Sequence, residues 1–150
     1  METWTAIGAI ATAVSALIVL PVSVFAARQL REMKRSGQLN AFVSVVEFLQ
    51  EDRVRDAREH LISLKDKPDI SEWNEDDIKA ADLACRAYNS VAIMIEKGLI
   101  EKEFVLPEWQ NSILLCWEAA QPLVKKYRAE RNKKYWDSVQ KLYELAKRIG

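Results

Sequence analysis

From Thr3 to Ala27 the chain carries no charged residue, a run of 25. After Arg28 the apolar positions become periodic instead of continuous. The run, as a helix rising ~1.5 Å per residue, is about 37 Å long. A bilayer core is roughly 30 Å thick, so this length spans it with some tilt. Glu2 precedes the run, and Arg28, Arg31, Lys34 and Arg35 follow it. The positive-inside bias keeps such a basic flank in the cytosol. The prediction is a single-pass anchor over residues 3–27 with the N-terminus outside. Residues 28–37 continue it as a basic juxtamembrane helix, and residues 38–150 form a cytosolic helical domain. A cleaved signal peptide is the rival, with Val24-Phe25-Ala26 before Ala27 as its site. The acidic start and the long apolar run argue against it.

The anchor has two faces. At 100° per residue, Thr5, Gly8, Thr12, Ser15, Ala16, Val19 and Ser23 fall within an arc of about 100°. Ile7, Ile10, Val14, Leu17, Ile18, Pro21 and Phe25 take the other side. Small and hydroxyl residues on one stripe let helices in lipid approach closely and hydrogen-bond. The stripe therefore predicts a homo-oligomer in the bilayer, or the lining of a narrow pore. Such residues are also common in membrane helices of any kind. Pro21 removes one backbone donor and should bend the helix near Leu17.

Beyond the membrane every periodic segment reads as helix. Gly37 is the first expected break. Leu39, Phe42, Val43, Val46 and Leu49 then keep helical spacing, and Val54, Ala57, Leu61 and Leu64 continue it from near Asp52. Asp66 to Trp73, with Pro68, reads as a loop. Asn74 followed by Glu75, Asp76 and Asp77 is a helix start, an N-cap with acids at the positive dipole end. That helix runs to Lys97 and stops at Gly98. It is apolar on most sides, which places it centrally. Pro107 suits a first helical position. Trp109, Ile113, Trp117, Ala120, Val124 and Tyr127 share a face after it, up to a break near Asn132. A last helix carries Tyr135, Trp136, Val139, Leu142, Tyr143, Ala146 and Ile149. No segment alternates as a strand would. The fold class expected is all-α, one N-terminal transmembrane helix followed by a cytosolic bundle of about five helices.

Charge changes the picture by its distribution. The chain has 22 basic and 22 acidic residues, but 51–82 hold eleven acids and six bases, and 121–150 hold nine bases and three acids. Such asymmetry serves a basic ligand site or pairs one half against the other. Two Cys without close spacing and one His exclude a zinc site, and no cofactor motif is present. Cys85 and Cys116 read as buried packing residues, since free Cys behaves as a small hydrophobe.

Three groups are candidates for chemistry. In Arg55-Asp56-Ala57-Arg58-Glu59-His60, Arg55 and His60 form an Arg-x4-His arrangement, with Arg53 at a looser spacing. It resembles the motif of the HEPN ribonucleases, all-helical domains that dimerise to join two motifs. The resemblance implies His60 as general acid or base and Arg55 as phosphate ligand, roles an imidazole and a guanidinium suit. The plainer reading is a solvated face of Arg53, Arg55, Arg58 and Glu59 with His60 at its edge. The second group is the polar line Asp82, Arg86 and Asn89 on an otherwise apolar helix, which binds a ligand or pairs internally. The third is the basic run Lys125, Lys126, Arg128, Arg131, Lys133 and Lys134, interleaved with Tyr127, Tyr135 and Trp136. It suits the phosphates of RNA, a nucleotide or lipid headgroups, or is a solvated helix end.

The exit Phe25-Ala26-Ala27-Arg28-Gln29-Leu30-Arg31 and the segment Phe48-Leu49-Gln50-Glu51-Asp52-Arg53-Val54-Arg55-Asp56-Ala57-Arg58 resemble a prokaryotic family known as domain of unknown function 4760. The likeness covers roughly residues 4–65 and implies a membrane-anchored topology more than a reaction. The layout is also similar to small membrane-anchored, HEPN-like accessory proteins of CRISPR systems. That similarity implies an accessory or effector of antiviral defence at the inner membrane, acting by assembly into a ring or pore. The alternatives are a ribonuclease using Arg55 and His60, and a membrane protein sensing a phosphate-bearing ligand.

Overall fold

The computed structural model describes the backbone of residues 2–149 and the side chains of residues 24–149. The described chain is all-helical, with six α-helices and no strand. It divides into two compact units, 1–37 and 38–150.

The first unit belongs to α1 (Glu2–Gln50). Every side chain from Val24 to Gly37 is exposed, the apolar Phe25, Leu30 and Met33 included. Among the described residues no helix is long and apolar enough to cross a membrane. The anchor expected over 3–27 falls mostly on residues whose side chains lie outside the described ones. So do the stripe residues Thr5, Gly8, Thr12, Ser15, Ala16 and Ser23 and the bend expected at Pro21. Gly37 does not break α1, contrary to expectation; the helix continues to Gln50. A single interior glycine costs a helix only ~1 kcal/mol, and good helix formers flank this one.

The second unit packs the end of α1 with α2 (Asp52–Ser63), α3 (Glu75–Glu96), α4 (Lys102–Ala119), α5 (Gln121–Glu130) and α6 (Asp137–Ile149). The pattern of exposure explains why. On α3 the small residues Ala81, Ala84, Cys85, Ala87 and Ala92 are buried together with Tyr88 and Val91. Few bulky atoms stand between α3 and its neighbours, so α2 and α6 both pack on it. The helix is central, as its all-round apolar character predicts. Helix α4 joins α2 to α6 through Val105, Leu106, Trp109, Ile113, Cys116 and Trp117. Phe42 at the end of α1 meets Phe104 and Trp109 of α4, with ring centroids 5.7 and 6.4 Å apart.

The ends of α3 follow the sequence closely. Asn74 and Asp77 form a reciprocal capping box. At the other end Gly98 adopts φ +67°, its N–H donates to Ile95 O, and the Leu99 N–H donates to Met94 O. This is a Schellman stop, which needs the left-handed conformation glycine adopts freely.

Elsewhere proline moves the boundaries. Pro107 is not a first helical residue; it lies inside α4, which starts at Lys102. So near the helix start it forfeits only one hydrogen bond, that to the Glu103 carbonyl. The single face expected from Trp109 to Tyr127 is two helices, α4 and α5, parted at Ala120. Pro122 sits in the first turn of α5, where a missing N–H is tolerated, so a new helix starts there. Tyr135 and Trp136 precede the last helix. Trp136 takes φ +57°, which ends the turn before Asp137. The expected loop 66–73 is shortened by 3₁₀ turns at Leu64–Asp66 and Ile70–Glu72, and it is anchored by Trp73 Nε1 donating to Lys67 O at 3.0 Å. Cys85 and Cys116 are free and buried, as expected.

Candidate functional site

Arg55 and His60 share α2, but five positions turn a helix by 500°, which leaves them about 140° apart. Arg55 is exposed and donates to Asp52 Oδ1 at 2.7 Å on its own helix. Asp56 lies 3.9 Å from the same nitrogen. The His60 Nε2 is 2.6 Å from Asp77 Oδ1. The other Asp77 oxygen accepts from the Asn74 N–H at 3.0 Å and faces Lys67 Nζ at 3.6 Å. These contacts hold the Asp77 carboxyl below its ordinary value, the His60 hydrogen bond first, the Asn74 N–H next, and Lys67 and the imidazole by their charges. Among the described residues no bond joins Arg55 to His60. The imidazole reinforces the cap of α3.

The polar line on α3 pairs mostly with itself. Arg86 Nε donates to Asp82 Oδ2 at 2.6 Å across one helical turn. The other Asp82 oxygen is buried with no partner among the described residues. Arg53 of α2 and Lys79 of α3 join this pair around an open depression of about 360 Å³. Lys79 is held by Glu75 at 2.7 Å. Asn89 does not line the depression.

The basic run splits in two. Arg128 Nε donates to Tyr135 O at 3.0 Å and its Nη2 to Gln140 Oε1 at 2.8 Å, which ties α5 to the turn before α6 and to α6. Arg131 stacks on Tyr127 at 4.2 Å and donates to the Tyr135 hydroxyl at 3.0 Å. The rings of Tyr127, Tyr135 and Trp136 pack on one another at 4.9–5.4 Å between centroids, so the interleaved aromatics are core. Lys125 and Lys126 behave differently. They line a cleft between the 64–72 loop and the α4–α5 junction. Lys65 and Lys67, which the sequence reading did not single out, line it from the other side. Among the described residues no group of His, Cys, Asp and Glu could hold a metal ion.

A family model described as domain of unknown function (DUF4760) matches residues 6–147. The chain belongs to that family. The match runs from the first turns of α1 to the last turn of α6 and so reaches far beyond residue 65, where the likeness was expected to end. Every candidate group lies within it except Thr5 of the small-residue stripe. No curated protein and no solved structure matches the chain.

The DUF4760 domain has one further polar feature, and sequence reasoning placed its key residue wrongly. Arg58 does not belong to a solvated face; it is 7% exposed. Its Nη2 donates to Leu49 O at 2.8 Å and its Nη1 to the Tyr88 hydroxyl at 3.2 Å. The Tyr88 hydroxyl donates onward to Ser112 Oγ at 2.7 Å. A cation thus closes the C-terminal end of α1, where carbonyls lack helical partners. The signal was present in the sequence. Arg58 stands four residues after Val54 and three before Leu61, on the apolar stripe of α2.

Proposed function

We propose that this DUF4760 chain is a single-pass membrane-anchored protein that works by self-association. Its N-terminus lies outside, and the domain 38–150 lies on the cytosolic side of a prokaryotic inner membrane. One observation carries the reading. The 25 residues from Thr3 to Ala27 bear no charge, their backbone is helical throughout, and Arg28, Arg31, Lys34 and Arg35 close the run. The exposed Phe25, Leu30 and Met33 support it, because a helix with apolar residues and no protein face against them calls for another apolar partner. Association is the mechanism that the small and hydroxyl stripe favours.

A catalytic role for Arg55 and His60 would need both around one phosphate. Their separation on α2 and the Asp77 contact favour structural roles instead.

The test is fractionation followed by protease. The full chain should stay in the membrane fraction after alkaline carbonate and leave it only in detergent. Protease added to intact spheroplasts should spare residues 40–150. Release by carbonate would end the anchor reading, and digestion from outside would reverse the orientation.

A further inference from the structure

The cleft holding Lys125 and Lys126 has a shape and a charge that neither membrane anchoring nor core packing requires. It is two adjoining depressions of about 170 and 440 Å³ that share Pro68, Pro122 and Lys125. Both are open to solvent, the larger being a shallow depression whose volume alone falls in the ~300–1,000 Å³ range of small-ligand sites. Two prolines stand at its walls, and their fixed φ limits how far the walls can relax. Four lysines line the pair: Lys65 and Lys67 the smaller depression, Lys126 the larger, and Lys125 both. Lys67 faces Asp77 at 3.6 Å; among the described residues the other three make no ion pair. Two carboxylates also stand there, Asp69 at the larger depression and Glu118 at the smaller, each accepting one hydrogen bond and keeping its charge. Asp69 accepts the Ser71 N–H at 2.9 Å, and Glu118 accepts from the Tyr143 hydroxyl at 3.4 Å.

We infer that this cleft binds a small phosphate-bearing ligand, its phosphate oxygens taken by Lys65, Lys125 and Lys126. Lysine is suited to the task as a compact, mobile point charge with three donors. With one carboxylate at each depression, an anion running through both meets two negative charges, which disfavours an extended polyanion more than a short one. No aromatic ring lines the cleft to stack a base, since Tyr127, Tyr135 and Trp136 are packed against one another. A small phosphate therefore fits better than an RNA strand. The phosphate can belong to a free molecule or to a lipid headgroup.

The experiment uses the full chain in detergent micelles and titrates inorganic pyrophosphate calorimetrically, with sulfate at equal ionic strength as control. Saturable binding of pyrophosphate is expected, weaker at 0.5 M NaCl than at 0.05 M because exposed charges are screened. The double variant Lys65→Gln/Lys125→Gln should lose about tenfold or more in affinity, the worth of charge-assisted hydrogen bonds. Lys133→Gln/Lys134→Gln, outside the cleft, should bind as the parent does. Repeating the titration in phosphatidylcholine nanodiscs with and without phosphatidic acid separates the sources. Competition by phosphatidic acid that vanishes in the cleft variant supports the site and assigns it to a lipid headgroup. Unchanged affinity supports the site and assigns it to a free phosphate. Absence of saturable binding, or equal loss in both double variants, overturns the proposal.

Discussion

His60 Nε2 sits 2.6 Å from Asp77 Oδ1, so a single contact ties the end of α2 to the capping box of α3. The same carboxylate accepts the Asn74 N–H and faces Lys67. Its role makes a pH prediction. The folded state holds the Asp77 carboxyl below its ordinary value of 3.8, chiefly through the His60 hydrogen bond. A depressed carboxyl contributes stability that is present above the unfolded value and lost as pH falls through the folded one. Asp77→Asn should therefore be less stable than the parent at pH 6, and the gap should narrow below pH ~3.8. Thermal unfolding of both proteins from pH 6 to pH 2.5 checks this, and a gap independent of pH would refute it. Asn74→Ala should cost about 1 kcal/mol, the usual worth of an N-cap.

The buried chain from Arg58 through Tyr88 to Ser112 makes a second prediction. Tyr88→Phe removes the shared hydroxyl and leaves Arg58 Nη1 and Ser112 Oγ each one partner short. The expected loss is about 1–3 kcal/mol by urea unfolding. Arg58→Ala should cost more, since the Leu49 carbonyl also loses its donor and a long side chain leaves the core. A Tyr88→Phe variant as stable as the parent would mean that water serves these groups.

The two thiols should be inert in the folded protein. Burial pushes Cys116 up to about 11 and Cys85 well above its ordinary 9.0. The thiolate is the reactive form, so at pH 8 neither should react with a disulfide reagent until the domain unfolds. Rapid labelling of one thiol in native protein would show a local opening of α3 or α4.

How much of this was legible depends on the kind of signal each residue carries. The cap at Asn74 and the stop at Gly98 could be read, because capping chemistry is local and a few residues determine it. The central place of α3 could be read from an apolar surface on most sides. Gly37 and Pro107 were misplaced because each acts as a bias of order 1–3 kcal/mol that flanking helix formers outweigh. The α4–α5 break was missed because its one mark, Pro122, sits inside an apolar period that continues across it. Arg58 was counted with Arg53 and Arg55 by its charge, although its phase on α2 is that of Val54 and Leu61. Within the basic run, Lys125 and Lys126 could be found by sequence, but Lys65 and Lys67 come from some 60 residues away. Only the tertiary fold brings them to the depression that Lys125 lines.

Gly37 and Gly98 differ in sign. At each, an added Cβ meets nothing within 4 Å, so the backbone alone decides. Gly37 is inside α1, and Gly37→Ala should stabilise that helix by ~0.5–1 kcal/mol. Gly98 holds φ +67°, where an L side chain is strained, so Gly98→Ala should cost about 1–2 kcal/mol. Circular-dichroism melts of both variants test the pair, and a stabilised Gly98→Ala would refute the Schellman assignment.

The proposed association through the anchor makes the last prediction. Gly8 and Thr12 are four residues apart, so on a helix they stand one above the other, with Thr5 and Ser15 on the same side. Gly8 lets two backbones come close, and hydroxyls near such a crossing can donate across it. Gly8→Leu with Thr12→Leu keeps the run apolar and helical but fills the crossing with two branched side chains. The dissociation constant of the full-length oligomer in detergent should rise about tenfold or more, since a close contact and its hydrogen bonds are worth ~1–2 kcal/mol. Ile10→Leu with Val14→Leu, on the opposite side, should leave it unchanged. Light scattering over a dilution series in detergent reads both. If the stripe variant keeps the parent's mass at every dilution, the small residues are compositional and the domain 38–150 must hold any assembly. If both variants dissociate, the whole circumference of the helix is in contact, as in a ring where each anchor has two neighbours.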